Sequence, residues 1–293
     1  MRCPNQIRMA FFAMFCALLN TACFGNPTDY HYLYQAVLNG DAGTVSTYLE
    51  DGGDVDILIA QFTKDDQMGW VGPMFQLALQ GQRDEIGVLL LRAGADTSIV
   101  KEKFRMSALQ VAAQQGMMDT AALMLDQNPK DLLLVQGDEA PIALASNWGN
   151  YDTVEVILRA AEKNDIDMQQ SMAYALMSAL MGKHPDIVRL LIQHGAKTDK
   201  DGILHLAVSS SGHSIVRLLL RQGFSPFGIV EGYSVMDLLV LRLERDPTEQ
   251  SARMILIELI GAGVNTCEFS KKAEDLPSMA FETLKRAAPN CDW

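Results

Sequence analysis

One phrase recurs along this chain: a run of branched apolar residues that ends in glycine. It reads "EIGVLLLRAGAD" at 85–96, "DIVRLLIQHGAK" at 186–197, "SIVRLLLRQGFS" at 214–225 and "RMILIELIGAGVN" at 253–265. Fainter copies are "TVSTYLEDGGDVD" (44–56), "DTAALMLDQNP" (119–129) and "DTVEVILRAA" (152–161). A second phrase precedes most copies, as in "GPMFQLALQG" (72–81), "SALQVAAQQG" (107–116), "APIALASNWG" (140–149) and "GILHLAV" (202–208). Self-similarity at this scale restricts the fold to a repeat array. Ile187, Val188, Leu190 and Leu191 fall at helical spacing, so the recurring phrase reads as a short helix with one apolar face. A single unit cannot bury that face, and stacking seven of them makes a continuous core.

The pattern resembles the ankyrin repeat, which runs Thr-Pro-Leu-His-x-Ala-Ala, a glycine, Ile-Val-x-Leu-Leu-Leu and Gly-Ala. Pro73 and Pro141 match its proline; Leu109, Ile142 and Leu204 match its leucine; His205 matches its histidine. Gly40, Gly81, Gly116 and Gly149 match the glycine between the helices, with one extra residue after Gly81. Gly52, Gly94, Gly195, Gly223 and Gly263 match the terminal glycine, where Asn128 and Ala161 stand in two copies. The steps along these seven positions are 42, 34, 33, 34, 28 and 40 residues, around the family's period of about 33. The outer steps imply longer fingers, and the step of 28 a shortened one. The resemblance implies an all-α solenoid over 29–265, with finger loops, closed by a helical cap in 266–293 built on "SMAFETLKRAAP" (278–289). It also gives His205 a structural role, hydrogen-bonding backbone in a turn.

The first 22 residues read differently. Arg2 and Arg8 precede "MAFFAMFCALL" (9–19), eleven apolar residues. That is too short to span a bilayer and has the length of a signal-peptide core. Small residues and Cys23 follow, resembling a bacterial lipoprotein signal, with Asn20 where the usual pattern has leucine. Lipidation of Cys23 and ordinary cleavage near Ala22 or Gly25 both remain open; residues 23–28 are then a short linker. Phe24, where the enteric sorting rule puts aspartate for inner-membrane retention, favours the outer membrane. Starts at Met9 or Met14 would truncate this segment and give a cytoplasmic form.

Cys267 and Cys291 are the only cysteines after Cys23. In an exported chain such a pair reads as one disulfide, worth roughly 3 kcal/mol by the chain-entropy relation; two unrelated buried thiols are the other reading. It would pin the cap to the last repeat. The net charge is −12, and loss of Arg2 and Arg8 with the leader takes it to −14. Such a surface repels nucleic acid and anionic membranes, leaving a lipid anchor as the expected membrane contact and a protein as the expected partner. The unbound chain is expected to be a monomer.

No catalytic constellation is present, and no cofactor is expected. The histidines lack zinc-type spacing with cysteine. "DGGDVD" (51–56) and "DKDG" (199–202) lack the twelve-residue calcium-loop pattern. "EGYSVM" is not a nucleophile elbow. The chain therefore reads as a binder. Phe62, Trp70, Phe104, Trp148, Phe227 and Tyr233, in fingers or facing the groove, are the candidate anchors, since aromatics dominate interface energetics; packing each under its own finger is the alternative. Exported ankyrin lipoproteins of this size resemble immunity proteins encoded beside type VI secretion effectors, several of which are phospholipases. The resemblance implies a periplasmic protein that neutralises such an effector. A periplasmic scaffold or stress-protective partner of a resident envelope protein, and an effector delivered to a host cell, are the other readings.

Overall fold

A computed structural model of the chain describes residues 30–62, 68–98, 106–196, 200–246, 248–265 and 267, with 281, 282, 285, 286 and 289. It contains two compact units, Met1–Lys103 and Phe104–Trp293. Unit 1 holds α1 (His31–Asn39), α2 (Ala42–Glu50), β1 (Leu58–Phe62), β2 (Met68–Pro73), α3 (Met74–Gln80) and α4 (Asp84–Arg92). Unit 2 holds α5 (Ala108–Gln115), α6 (Met118–Gln127), α7 (Pro141–Trp148), α8 (Tyr151–Lys163), α9 (Gln169–Gly182), α10 (Pro185–Gln193), α11 (Lys200–Ser210), α12 (His213–Arg221), β3 (Ile229–Val230), β4 (Tyr233–Ser234), α13 (Val235–Arg245) and α14 (Gln250–Gly261). The fold is all-α, as the repeat pattern predicts; among the described residues the strands form only two antiparallel hairpins, both in fingers.

The helices of unit 2 pack in two rows. Odd-numbered helices α5 to α13 touch their neighbours to make an inner row, and α6 to α14 make an outer row. In unit 1, α1 packs on α3 and α2 on α4 in the same way. The inner-to-outer turn repeats one geometry. The residues after it, Asp41, Arg83, Met117, Asn150 and His184, donate their N–H to Ala36, Ala78, Ala112, Ala145 and Ala179, five residues back, at 2.8–2.9 Å. All five alanines are buried, so a small side chain sits where inner helices pack closest. The turn residue itself is left-handed: Gly40, Gly116 and Gly149, but also Gln82 and Lys183. Gly81 is therefore not the turn glycine, because its φ is −84° and Gln82 takes that place. The second repeat has no extra residue; the strained conformation has moved onto a glutamine, at about 1–2 kcal/mol.

Within each unit, polar stitches join a turn or inner helix to the repeat before it. Arg83 donates to the Leu38 carbonyl. Asn150 donates to the carbonyls of Ala113 (2.9 Å) and Gln114 (2.8 Å). His184 Nε2 lies 3.1 Å from the Asn147 carbonyl, so the ring carries its proton on Nε2. Ser211 donates to Leu180 (2.7 Å), and Arg242 to Val208 (2.7 Å) and Ser211 (2.8 Å). Carbonyls at helix C-termini lack intrahelical partners, and these side chains satisfy them.

Unequal spacing has identifiable sources. The step of 42 comes from the β1–β2 hairpin, which is in register from Leu58–Pro73 to Ala60–Val71 and shifts before Phe62–Met68. Ile59 of this hairpin is fully buried. The step of 28 follows from the short link between α10 and α11. The step of 40 is not a longer finger. Its additional residues lie in the long α13, the turn after it and the long α14. At Ala161, helix α8 runs through to Lys163 and the left-handed residue is Asp165, one turn later. In "DGGDVD", Gly52 has a φ of 84°, Gly53 lies against the Tyr48 ring, and the Asp56 carboxylate accepts the Asp96 N–H at 2.9 Å. These acids tie a loop together.

The leader, Cys23 and most of 266–293 lie outside the described residues. Residues 281–282 and 285–286 are helical, with Lys285 over the Phe281 ring at 5.8 Å. Among the described residues, no helix is long and apolar enough to cross a membrane.

The stitches give a mutational prediction. A Cβ on Gly149 would lie 2.5 Å from His184 Cε1, whereas one on Gly223 would meet nothing within 4 Å; both glycines have positive φ. Gly223→Ala should cost about 1 kcal/mol from backbone strain, and Gly149→Ala more, because the imidazole is displaced and its bond lost. In a His184→Ala background the two costs should converge, as coupled sites require; urea unfolding of the four variants reads this directly.

A second prediction concerns Tyr48. Burial, reinforced by the neighbouring Tyr30, pushes its phenol up to about 12. The neutral form is thus favoured in the folded state, so its stabilising share is full below about pH 10 and lost as pH rises towards 12. Tyr48→Phe should flatten the alkaline fall in melting temperature over that window.

Candidate functional site

The inner row of unit 2 has an unusual surface for so acidic a chain. Helices α5 (ALQVAAQQ), α7 (PIALASNW) and α9 (QQSMAYALMSALMG) contain no charged residue. The outer row carries the pairs Arg159–Glu155, Lys163–Asp126 and Arg217–Glu258, and charge returns to the inner row in α11 and α13. Yet the inner face is not covered. Trp148 is 60% exposed, Met181 63%, Met177 39% and Tyr174 37%. Large apolar side chains left exposed together mark an interaction surface rather than an accident of packing.

Helix α9 enlarges that face. It has 14 residues where α7 has eight, because it begins earlier, directly after a short finger. Tyr174 sits in the early part, close to Gly137. The short helix Gly137–Glu139 packs on both α7 and α9 and brings Asp138 and Glu139, both exposed, to the edge of the face. Asp165 and Asp167, also exposed, precede α9. In the preceding finger, burial raises the Asp131 carboxyl above its usual range; Asn128 donates to it at 2.6 Å. Leu133 and Leu134 of this finger are exposed.

The β3–β4 hairpin forms the last finger. Glu231 (φ 52°) and Gly232 (φ 86°) make the two-residue turn between the paired Val230 and Tyr233, the left-handed pair that a tight hairpin requires. Buried His205 anchors it, its Nε2 lying 2.9 Å from the Tyr233 carbonyl, as the repeat resemblance implies. Gln110, at the equivalent position of α5, donates to the Glu139 carbonyl at 2.9 Å. A buried inner-helix donor thus sets the height of two fingers.

Of the candidate anchors, Trp148, Phe227 (65% exposed) and Tyr233 (49%) present their rings to solvent. Trp148 lies on the inner face, Tyr233 on the hairpin and Phe227 in the turn just before it. Phe62 and Trp70 lie on β1 and β2 of unit 1, with side chains outside the described set; Phe104 is outside it entirely. Tyr174, Met177 and Met181 escape the sequence reading because α9 carries neither the Pro-Leu-His phrase nor the turn glycine. The available signal was Lys183, twelve residues before Gly195, the interval that separates Gly40 from Gly52 and Gly116 from Asn128. Cys267 is disulfide-bonded; Cys291 lies outside the described residues. Among the described residues, no cluster of three or more His, Cys, Asp or Glu is placed to hold a metal ion.

Stacked helix pairs, left-handed turns and an inner row with anchored fingers define a repeat-built interaction module. The family pattern described as ankyrin repeats (3 copies) matches residues 74–170 and 145–227, together more than half of the chain. The chain belongs to the ankyrin-repeat family, and its repeats give it a protein-binding role. It is 32% identical over 130 residues (41% of this chain) to the ankyrin repeat and KH domain-containing protein mask-1 of Caenorhabditis elegans, of which it spans only 5%. Among solved structures, the human ASB11 ankyrin repeat domain matches with a TM-score of 0.54 at 20% identity, over 77% of this chain and 96% of that one; the likeness is one of fold. The ankyrin repeat domain of Bcl-3 gives 0.45 at 19% identity over 70% and 92%.

Removing the buried His205 side chain leaves its bond to the Tyr233 carbonyl unmade. His205→Ala should cost about 1–3 kcal/mol and speed amide exchange in residues 229–234, while α5 to α8 keep their protection. His205→Gln, which preserves a donor of similar reach, should restore most of both.

Proposed function

We propose that this chain is a non-catalytic binder of the bacterial envelope that captures a secreted, lipase-like antibacterial effector of the type VI class and neutralises it in the periplasm. The observation that carries the binding role is the exposed, uncharged face of α7 and α9 in a chain of net charge −12. The compartment rests on the leader: a basic start, an apolar core of signal-peptide length, and Cys23 as the lipid attachment point, holding the protein at the outer membrane. The disulfide-bonded Cys267 is in keeping with an oxidising compartment, and Cys291 is its proposed partner. Resemblance to ankyrin immunity lipoproteins supplies the effector class.

The test is capture from envelope and secreted fractions by the full chain tagged at its C-terminus, with the bound protein identified by mass spectrometry. A secreted lipase should co-purify in stoichiometric amount, and its hydrolysis of phospholipid vesicles should fall to background when the chain is added. Recovery of a resident periplasmic protein alone would replace this reading with that of a scaffold.

A further inference from the structure

The face of α7 and α9 has a floor and a wall of different chemistry. Exposed Trp148, Tyr174, Met177 and Met181, with half-buried Leu144, make a floor without a charge on either helix. The wall comes from two fingers. Asp138 and Glu139 border it on a segment that packs on both helices, and Asp165 and Asp167 border it at the start of α9. All four carboxylates are exposed. These fingers also carry Lys130 and Lys163, the latter engaged by Asp126 at 3.0 Å; exposed Lys183 caps the opposite end of α9, away from its acidic start.

We infer that this face takes a segment of a partner protein whose apolar side is bordered by lysine and arginine. This rests on the binding role proposed above and names the chemistry of what is bound. Charge complementarity makes the choice. An apolar floor alone accepts any greasy segment, but a carboxylate wall excludes acidic ones, since like charges brought together across an interface are costly. It also excludes an anionic lipid surface. Methionines on the floor suit side chains of more than one shape, because the thioether is flexible and polarisable. Trp148 supplies the rigid anchor typical of an interface hot spot.

The probe is a fluorescein-labelled amphipathic leucine–lysine peptide, set against a leucine–glutamate peptide of equal length, with binding to the full chain read by anisotropy. The lysine peptide should bind and the glutamate peptide should not. Trp148→Ala should weaken binding about tenfold, as loss of one hot-spot side chain does, and Trp148→Phe should recover part of it. Asp138→Lys with Asp165→Lys should also weaken binding about tenfold and remove its salt dependence. The same change of charge on the outer row, Asp152→Lys with Glu155→Lys, should leave it unchanged. Circular dichroism and melting curves check that each variant folds. Equal binding of both peptides, no binding of either, or equal loss from inner and outer charge reversals would overturn the inference. Effector capture that is insensitive to the Trp148 and Asp138/Asp165 variants would overturn it while leaving the proposed function standing; peptide binding without effector capture does the opposite.

Discussion

Within each unit, neighbouring repeats are held together by a side chain that reaches back to carbonyls at the preceding repeat's helix end. Apolar burial supplies the bulk of the cohesion, but burial is indifferent to rotation and sliding of one helix pair on the next. The stitches are not. The Asn150 amide spans two carbonyls on α5, and the His184 ring sits on Gly149 while pointing Nε2 at Asn147. Such contacts allow one registry. They also make two demands of the turn glycine: a positive φ, and the missing Cβ that leaves room for the side chain arriving from the next repeat.

With registry fixed at the turns, length variation is pushed elsewhere. It appears in the β1–β2 hairpin, in the early start of α9 and in the long α13 and α14. The twelve-residue interval between turn and terminal glycine recurs at Gly40–Gly52, Gln82–Gly94 and Lys183–Gly195, and lengthens where α8 runs on to Asp165 and in the last repeat. Variable parts are therefore those that shape the binding surface, and α9 shows the result: its early turns bring Tyr174 onto the inner face.

The frame was legible in the sequence wherever a chemical requirement was strict. Terminal glycines Gly52, Gly94, Gly195, Gly223 and Gly263 were all found, and all have positive φ. Trp148 was found because it stands directly before a turn glycine. The fifth inner helix was hidden because Lys183 accepts the left-handed conformation without being glycine, and because its apolar residues serve floor and core alike, blurring the helical period. Gly81 misled for the converse reason: a glycine adjacent to the turn looks like the turn, and only the backbone shows that Gln82 carries it. The acidic wall was visible as charge but not as place, since nothing local says that Gly137–Glu139 packs on α9.

The stitches have a mechanical meaning as well. Each joins a repeat only to its immediate predecessor, and those described lie within a single unit. Tension applied along either unit is therefore carried in series rather than shared. Extension would proceed one helix pair at a time, from the end whose stitch yields first, each step releasing the length of one repeat. A protein built this way gives under load like a run of clasps, and the repeats still fastened keep the binding face they carry.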